Sequence, residues 1–332
     1  MYAKTVDTHT NALLRQIISS ESLTRNIGFI PMLLVEYIDM KTSIIKKILI
    51  IVVCLISGSS AWGLTRHGLV IGLGEYKDKR WSKIHGDSDV PIVKNMLKKC
   101  GYTDVITLIN STATKAGITD AFHNLLNKCH KGDMVYIHFS GHGQQITDVN
   151  GDEDDGWDEA WIPYDAMYAY SSSYKGEKHL IDDEIASWMT KIRNKIGSSG
   201  SLLLVVDACH SGDSSRDDLG EDEVYIRGGA EMDFIIPLKK TPERTVKTKE
   251  NWLTLTACRD YQINCEVRTT SGGYYGMLSY ALCSGYSGIS RKDNAQATSQ
   301  LQAFVNRFRH SLPQDITLTG STKYQSLSEF FK

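Results

Sequence analysis

Short apolar runs alternate with amphipathic stretches along the chain from His67 onward. Each apolar run is only a few residues long and is bounded by polar residues or glycine, which is typical of strands. The runs predict strands at residues 68–73, 105–109, 133–140, 201–206 and 252–257. Between them, apolar residues recur at three- and four-residue spacing, as at Val90, Val93 and Leu97, which predicts helices. Strands that alternate with helices favour an α/β fold in which helices flank a mostly parallel central sheet.

Two stretches do not follow this pattern. Residues 144–158 are polar and acidic, and residues 213–250 are charged, with one short apolar run at residues 234–236. High polarity without periodicity is typical of loops. The second stretch, inserted about two thirds of the way along the chain, is therefore expected to be a long exposed loop.

The N-terminal part has a different composition. Lysines at positions 41, 46 and 47 precede an apolar run at residues 48–56, and small residues follow up to Ala61. This order predicts a signal peptide at residues 40–61 with cleavage before Trp62, and an uncleaved signal anchor or a buried strand is the alternative. Residues 1–39 do not fit a signal peptide, which indicates a non-native or extended N-terminus. We therefore expect a secreted or periplasmic protein with one domain at residues 62–332 and no stable membrane span after signal removal.

Composition narrows the range of partners. The chain has 332 residues, of which 41% are hydrophobic, and a formal net charge of -2. Its lysines and arginines are scattered and form no basic stripe, so nucleic acid is excluded as an expected partner. The cysteines after Ala61 form no Cys-x-x-Cys pair, which argues against a zinc knuckle and against a small disulfide scaffold.

Two chemically reactive residues directly follow predicted strands. His142 lies between two glycines after the run at residues 133–140, and Cys209 follows the run at residues 201–206. The carboxyl ends of parallel strands meet at one edge of a sheet, where ligands bind. An imidazole beside a thiol makes the thiolate accessible at neutral pH. Although either residue alone is more often structural, the pair predicts acyl transfer to Cys209 with His142 as its proton partner and the N–H groups of Cys209 and Gly143 as oxyanion donors.

The sequence around this pair resembles a known family. Ser-Gly-His-Gly-Gln at residues 140–144 and Asp-Ala-Cys-His-Ser-Gly at residues 207–212 are similar to the catalytic motifs of metacaspases. The acidic stretch at residues 152–159 and Ile-Asp-Asp-Glu at residues 181–184 resemble the same family in order and spacing. The resemblance covers roughly residues 67–264. It implies a caspase-hemoglobinase fold and a cysteine endopeptidase of the caspase-like clan that acts on proteins or peptides.

Charge near the nucleophile indicates the substrate. Asp207 lies two residues before Cys209, so both side chains emerge on the same face of an extended strand. A carboxylate there favours a basic side chain at the cleaved position, although Asp207 could instead act only as a hydrogen-bonding group. The resemblance to metacaspases implies cleavage after Arg or Lys, with Asp207 as the pocket floor, Asp89 as a second carboxylate and Ser140 on the wall. Asp87 is the alternative to Asp89.

The acidic stretch suggests a metal. Oxygen-rich clusters suit Ca²⁺, and residues 148–153 resemble the start of an EF-hand loop, but Glu153 stands where that loop requires glycine. In calcium-dependent metacaspases a paired aspartate at a helix start holds the ion, which implies Asp182 and Asp183 here, with Asp158 as a further ligand. The alternatives are a solvated acidic loop and acids that favour the helix dipole.

Basic residues in the 213–250 stretch are candidate self-processing sites, because loops tolerate cleavage. The candidates are Arg216, Arg227 and Lys240. Exposed basic residues are otherwise ordinary solubilising groups. For the whole chain, the alternative to a peptidase is a catalytically silent caspase-like module that binds partners or senses calcium, and a thiol acyl transferase on the same scaffold is a third possibility.

Overall fold

The computed structural model describes residues 64–209, 225–228, 233–238, 250–308, 313–323 and 325–332. The predicted signal peptide and the residues before it lie outside these ranges, as do Arg216 and Lys240. The described helices, in chain order, are α1 (Gly86–Lys99), α2 (Lys115–Lys128), α3 (Asp182–Ile196), α4 (Met277–Ile289) and α5 (Asn294–Phe308). The described strands are β1 (Arg66–Gly72), β2 (Asp104–Ile109), β3 (Met134–Ser140), β4 (Gly143–Thr147), β5 (Trp157–Trp161), β6 (Leu180–Ile181), β7 (Ser201–Asp207), β8 (Leu253–Thr256), β9 (Glu266–Arg268), β10 (Tyr274–Gly276) and β11 (Thr317–Gly320).

A six-stranded sheet forms the centre of the described domain, in the order β11-β8-β7-β3-β1-β2. Its strands pair in parallel except for β11, which runs antiparallel to β8. Side chains alternate between the two faces, so that Leu69 and Ile71 enter one core and Val70 enters the other. Helices α2 and α3 cover the first face, and α1, α4 and α5 cover the second. The prediction of an α/β fold with a mostly parallel central sheet flanked by helices is confirmed.

The polar stretch expected to be a loop at residues 144–158 begins and ends as a strand. β4 and β5 form an antiparallel hairpin around the acidic residues, and β6 pairs with β5 on its other edge. Apolar alternation is weak here because a polar residue faces inward: Gln144 is buried, and its Oε1 lies 2.9 Å from Nε2 of the buried His179. A buried polar pair can thus replace the apolar pattern that usually marks a strand.

The expectation of a long exposed loop at residues 213–250 fails at some of its described positions, although Ile235 and Leu238 are exposed as expected. Arg227 and Phe234 are fully buried, and Ile226 is nearly so. Phe234 continues the hairpin, since its N–H donates to the carbonyl of Gln145 at 2.8 Å and its carbonyl accepts from the N–H of Thr147 at 3.1 Å. High charge misled the expectation because the charge of Arg227 is paired inside the protein. Within the ranges given above, no helix is both long and apolar enough to cross a membrane.

Candidate active site

The two central strands bring the predicted pair to one edge of the sheet. Ser140 at the end of β3 pairs with Asp207 at the end of β7. The chain beyond each strand therefore leaves the sheet at the same edge, and the N–H of Gly141 still reaches the carbonyl of Asp207 at 3.4 Å. His142 and Cys209 follow within two residues of these ends. Both side chains are buried.

Backbone carbonyls orient the His142 ring. Its Nε2 lies 2.9 Å from the carbonyl oxygen of Ser82, and its Nδ1 lies 3.0 Å from that of Gly228. Trp81 stacks on the ring at 5.4 Å between centroids. Burial lowers the pKa of His142, and the two carbonyls oppose this because they accept hydrogen bonds from the protonated ring. The Ser82 carbonyl was not foreseen, since no side chain at that position signals it.

The Cys209 thiol lies in a small sulfur-rich cluster. It contacts Ile226, Cys258 and Cys265. A hydrogen bond with Cys209, followed by burial, raises the pKa of Cys258 well above its usual value, so Cys258 stays a neutral thiol beside the nucleophile candidate. The six cysteines of the described residues are free, and all but Cys283 are buried.

Residues 225–228 lie across this edge as an extended peptide. Ile226 forms an antiparallel bridge with Cys265. The carbonyl oxygen of Arg227 accepts hydrogen bonds from the N–H groups of Gly143 and Cys209, both at 3.3 Å. These are the two groups that the sequence predicts as oxyanion donors. The peptide bond after Arg227 is therefore held against the candidate nucleophile and its proton partner.

The side chain of Arg227 fills a fully enclosed acidic pocket. Its Nη2 lies 2.8 Å from Oδ2 of Asp89, and its Nε and Nη2 donate to Oε1 of Glu266 at 3.1 and 3.0 Å. Its Nη1 donates to Oγ of Ser140 and lies 3.8 Å from Oδ1 of Asp207. The structure thus brings together the three pocket residues expected from the sequence, around an arginine of the same chain.

The Asp207 carboxylate lies farther from the guanidinium than the Asp89 carboxylate does. Its carboxylate accepts hydrogen bonds from Nδ2 of Asn264 at 2.7 Å and from the N–H and hydroxyl of Ser279 at 2.7 and 2.6 Å. Burial alone would raise the pKa of Asp207, but Arg227 and these donors outweigh it and hold the pKa below its usual value. Asp207 is therefore a fixed negative charge of the pocket whose backbone carbonyl accepts from Nη1 of Arg227 at 3.4 Å, while Asp89 makes the shorter contact between carboxylate and guanidinium. The rival Asp87 accepts instead from Nδ2 of Asn110 at 3.0 Å.

Glu266 completes the pocket, and the sequence analysis missed it. Its two carboxylate oxygens lie 2.6 Å from the N–H and from Nδ1 of His85. Burial opposes ionisation of Glu266, but Arg227 and His85 keep its pKa below the usual range. The one signal in the sequence is an acidic residue between Cys265 and Val267, both of which are buried. The sequence does not indicate which residues contact Glu266.

The acidic residues form a separate cluster at the far end of the β4–β5 hairpin. Carboxylate oxygens of Glu153, Asp158 and Asp182 lie within 4.8 Å of one another. Asp158 is buried, and its Oδ1 has no hydrogen-bond partner among the described residues. Burial, followed by the charges of Asp182 and Asp148, raises the pKa of Asp158 to about 8. Two of the three expected ligands, Asp158 and Asp182, therefore meet, with Glu153 as a residue that was not predicted.

The remaining acids of this region have other roles. Asp183, the third expected ligand, accepts a hydrogen bond from Nδ2 of Asn150. Asp148 accepts from the N–H groups of Asn150, Gly151 and Glu153 at 2.9, 2.6 and 3.1 Å, which fixes the turn of the loop. The cluster also includes Asp152, whose carboxylate lies within the same distance of Asp148 and Asp158.

Solved structures share the fold of the domain. A protein from Geobacter sulfurreducens, GSU0716, aligns with a TM-score of 0.55 and 20% identity over 80% of this chain and 98% of that one. Caspase-1 from Spodoptera frugiperda aligns with a TM-score of 0.50 and 13% identity over 77% of this chain and 88% of that one. Together with the sheet order, these likenesses define the fold class as caspase-like.

Sequence comparison shows which known proteins the first part of the described domain resembles. The model of the metacaspase peptidase C14 domain matches residues 66–216. Metacaspase-1A of Aspergillus niger is 33% identical over 159 residues, which cover 44% of this chain and 36% of that protein. Metacaspase-1 of Coccidioides immitis is 36% identical over 102 residues, or 31% of this chain and 20% of that protein. Residues 66–216 of the chain are thus similar to the metacaspase peptidase domain, and the chain spans about a third or less of the length of these relatives.

We expect arginine binding to release a proton from Asp89. Burial raises the pKa of Asp89 to about 7 even though Arg227 lowers it, so the pKa must be higher when the pocket holds no cation. Between these two pKa values, affinity for a guanidinium rises with pH by up to about tenfold per pH unit, because the bound cation favours the ionised carboxyl. Titration calorimetry of agmatine binding to Cys209→Ala/Arg227→Ala, between pH 6 and 9, measures this effect.

The matched control is Asp89→Asn in the same background. It cannot ionise, so agmatine binding should be weaker and flat across this range. If the affinity of Cys209→Ala/Arg227→Ala for agmatine does not change with pH, Asp89 is not the group that titrates.

Proposed function

We propose that this protein is a cysteine endopeptidase that cleaves after basic residues, with Cys209 as the nucleophile and His142 as its proton partner. The observation that carries the proposal is the bound segment of the chain itself. Its Arg227 side chain lies among carboxylates, and its Arg227 carbonyl accepts from the N–H groups of Gly143 and Cys209. Preorganised N–H donors at a carbonyl are what stabilises the oxyanion in acyl transfer.

The chemistry follows from the positions of these groups. The Cys209 thiolate attacks the carbonyl carbon, and the negative charge that develops on the oxygen is held by the two N–H groups. His142 gives a proton from Nδ1 to the amide nitrogen of the following residue, and the carbon–nitrogen bond breaks to leave a thioester on Cys209. Water, deprotonated by His142, then attacks the thioester and releases the acid and the thiol. In the structure Nδ1 faces the carbonyl oxygen of Gly228. The amide nitrogen that would accept the proton belongs to the same residue.

The pocket favours arginine over lysine within the basic class. Glu266 accepts from Nε as well as Nη2 of Arg227, and a lysine side chain has a methylene without a donor at the Nε position. Asp89 and Ser140 contact the other side of the guanidinium. A planar, forked cation can use both sides at once, while an ammonium acts as a point charge.

Arg227 is also the self-processing site that the geometry favours. The carbonyl oxygen of Arg227 already lies at the N–H groups of Gly143 and Cys209, which supports hydrolysis of the bond after Arg227 without a large movement of the chain. Cleavage would give one fragment that ends at Arg227 and another that begins at Gly228.

We expect purified protein to produce a fragment whose N-terminus is Gly228, identified by sequencing or mass spectrometry. Cys209→Ala should stay intact and should lose about 10³-fold or more of the hydrolysis of peptides that end in Arg. Arg227→Gln should not yield this fragment, and Arg227→Lys should yield it more slowly. The matched controls, Arg216→Gln and Lys240→Gln, should leave cleavage at Gly228 unchanged.

Fluorogenic peptides that end in Arg, Lys or Asp give the second readout. We expect the rate to fall in that order, with Asp at least about 100-fold below Arg, since like charges placed together cost several kcal/mol. Hydrolysis after Asp would contradict the pocket, and identical behaviour of wild type and Cys209→Ala would favour a silent binding module.

We further propose that Ca²⁺ activates the peptidase by binding the acidic cluster. Asp158 and Asp182 would hold the ion together with Glu153, and Asp183 lies next to Asp182 at the start of α3. The fit rests on the buried Oδ1 of Asp158 without a hydrogen-bond partner among the described residues and on the mutual approach of the three carboxylates. Hard oxygen ligands of this kind suit Ca²⁺. The bound ion would neutralise charges that otherwise repel one another.

Thermal unfolding tests this site without relying on activity. On Cys209→Ala, Ca²⁺ at about 100 times its Kd should add about 2.7 kcal/mol and raise the Tm by several degrees. Asp158→Asn should abolish this rise and should be more stable than its parent without Ca²⁺, because a carboxyl whose pKa is raised to about 8 by burial costs stability at every pH above its ordinary pKa. Asp120→Asn on the exposed face of α2 is the matched control and should keep the rise. If Ca²⁺ does not change the Tm of Cys209→Ala, the proposed calcium site is wrong.

We also propose that the protein is exported to the periplasm or secreted. The basic, apolar and small residues of 40–61 follow one another in the order of a signal peptide. Cell fractionation should recover a mature chain that begins at Trp62 outside the cytoplasm, and retention of residues 40–61 on the isolated protein would contradict this.

A further inference from the structure

We propose that the cleft has two further substrate subsites: an apolar one for a branched aliphatic residue before the cleaved arginine, and an aromatic one for the residue before that. The inference rests on the proposed peptidase function and extends it to the substrate class. It makes extended segments of the type aromatic-aliphatic-Arg the preferred substrates.

The backbone of the bound segment shows how a substrate would be held. The N–H of Arg227 donates to the carbonyl of Asn264 at 2.9 Å, and the N–H of Glu266 donates to the carbonyl of Tyr225 at 2.9 Å. These bonds involve main-chain groups alone, so any extended peptide can make them. Because side chains alternate along an extended peptide, Tyr225 and Arg227 point to one side and Ile226 to the other.

The apolar subsite is the place that Ile226 occupies. Ile226 is buried against Cys209, Cys258 and Cys265, and the partly buried Ile263 packs against this cluster. The surrounding side chains are thiols and hydrocarbon, which gain from burial of an aliphatic group. A charged side chain at this position would lose its water without a compensating partner in the cluster.

The aromatic subsite is formed by two rings that already stack on each other. His85 and Tyr274 lie 5.0 Å apart between centroids with an interplanar angle of 18°. The ring of Tyr225 meets both of them edge on, at 4.6 and 4.8 Å. Edge-to-face contacts at such distances add stabilisation beyond the burial of area.

One carboxylate connects this subsite to the arginine pocket. Glu266 binds the guanidinium of Arg227 and also holds His85 through two short hydrogen bonds. The ring that forms one wall of the aromatic subsite is thus fixed by the group that recognises the cleaved residue.

Three peptides with the same leaving group after Arg test the proposal on the full chain, under conditions in which peptides ending in Arg are hydrolysed. Relative to Tyr-Ile-Arg, we expect kcat/KM to be lower by about 2- to 10-fold for Ala-Ile-Arg, the range given by aromatic pairs. For Tyr-Asp-Arg it should be lower by about 10-fold or more, because a carboxylate would be desolvated. Equal values for the three peptides would overturn the subsites and leave the peptidase function standing. If none of the three peptides is hydrolysed, both the subsites and the peptidase function are contradicted.

Variants of Tyr274 test whether this ring causes the preference for an aromatic residue. In Tyr274→Ala, the ratio between Tyr-Ile-Arg and Ala-Ile-Arg should fall to about one, and Tyr274→Phe should restore it, since stacking requires the ring and not the hydroxyl. The matched control is Tyr261→Ala, a tyrosine that is 76% exposed, which should keep the wild-type ratio. A ratio that is the same in Tyr274→Ala and wild type would contradict the proposal even if the wild-type series supports it.

Discussion

The ion pair between the guanidinium of Arg227 and the carboxylates around it is the interaction on which the cleft depends. Arg227, Asp89, Asp207 and Glu266 are all buried, and removal of each charge from water costs several kcal/mol. One cation cannot neutralise three anions. Asp207 and Glu266 keep their charge because Arg227 lies beside both and because Asn264, Ser279 and His85 also donate to them, whereas burial raises the pKa of Asp89 to about 7. Asp89 is therefore the carboxyl that takes up the excess proton, and a pocket without a cation would be strongly strained electrostatically.

The ion pair of Arg227 also determines where the backbone of residues 225–228 lies. Once the guanidinium is in its pocket, the antiparallel pairing with residues 264–266 fixes the register, and the carbonyl of Arg227 arrives at the N–H groups of Gly143 and Cys209. A segment of the same chain has an effective concentration on the order of mM. It therefore competes well against any free peptide until the chain after Arg227 is cut or moved. On the proposed function, the same contacts that bind a substrate thus hold the uncut chain in a self-inhibited state.

Several parts of this arrangement were predictable because they depend on local pattern. The apolar strands before His142 and Cys209 mark the sheet edge, and the two-residue spacing places Asp207 on the side of Cys209. Glu266 was not predictable, since it does not directly follow a predicted strand and lies 39 residues after Arg227 in the chain. The burial of Arg227 was missed for a different reason. A charged residue in a polar stretch is ordinarily exposed, and its partners lie in four separate segments of the chain.

The β4–β5 hairpin provides a physical link between the acidic cluster and the cleft. Its first residue, Gly143, donates to the carbonyl of Arg227, and the acidic loop lies at its other end, about 13 Å away for four residues of extended chain. Across the hairpin, Asp158 pairs with Ile146, and Ile146 bridges to Phe234 on the opposite side. Phe234 lies six residues after Gly228. The chain that follows the bound segment is therefore paired, at Phe234, with the strand that also pairs with Asp158. On the proposed calcium site, a cation at Asp158 would act on β5, which pairs with the strand that bridges to Phe234, and residues 225–228 are what a substrate would have to displace from the cleft.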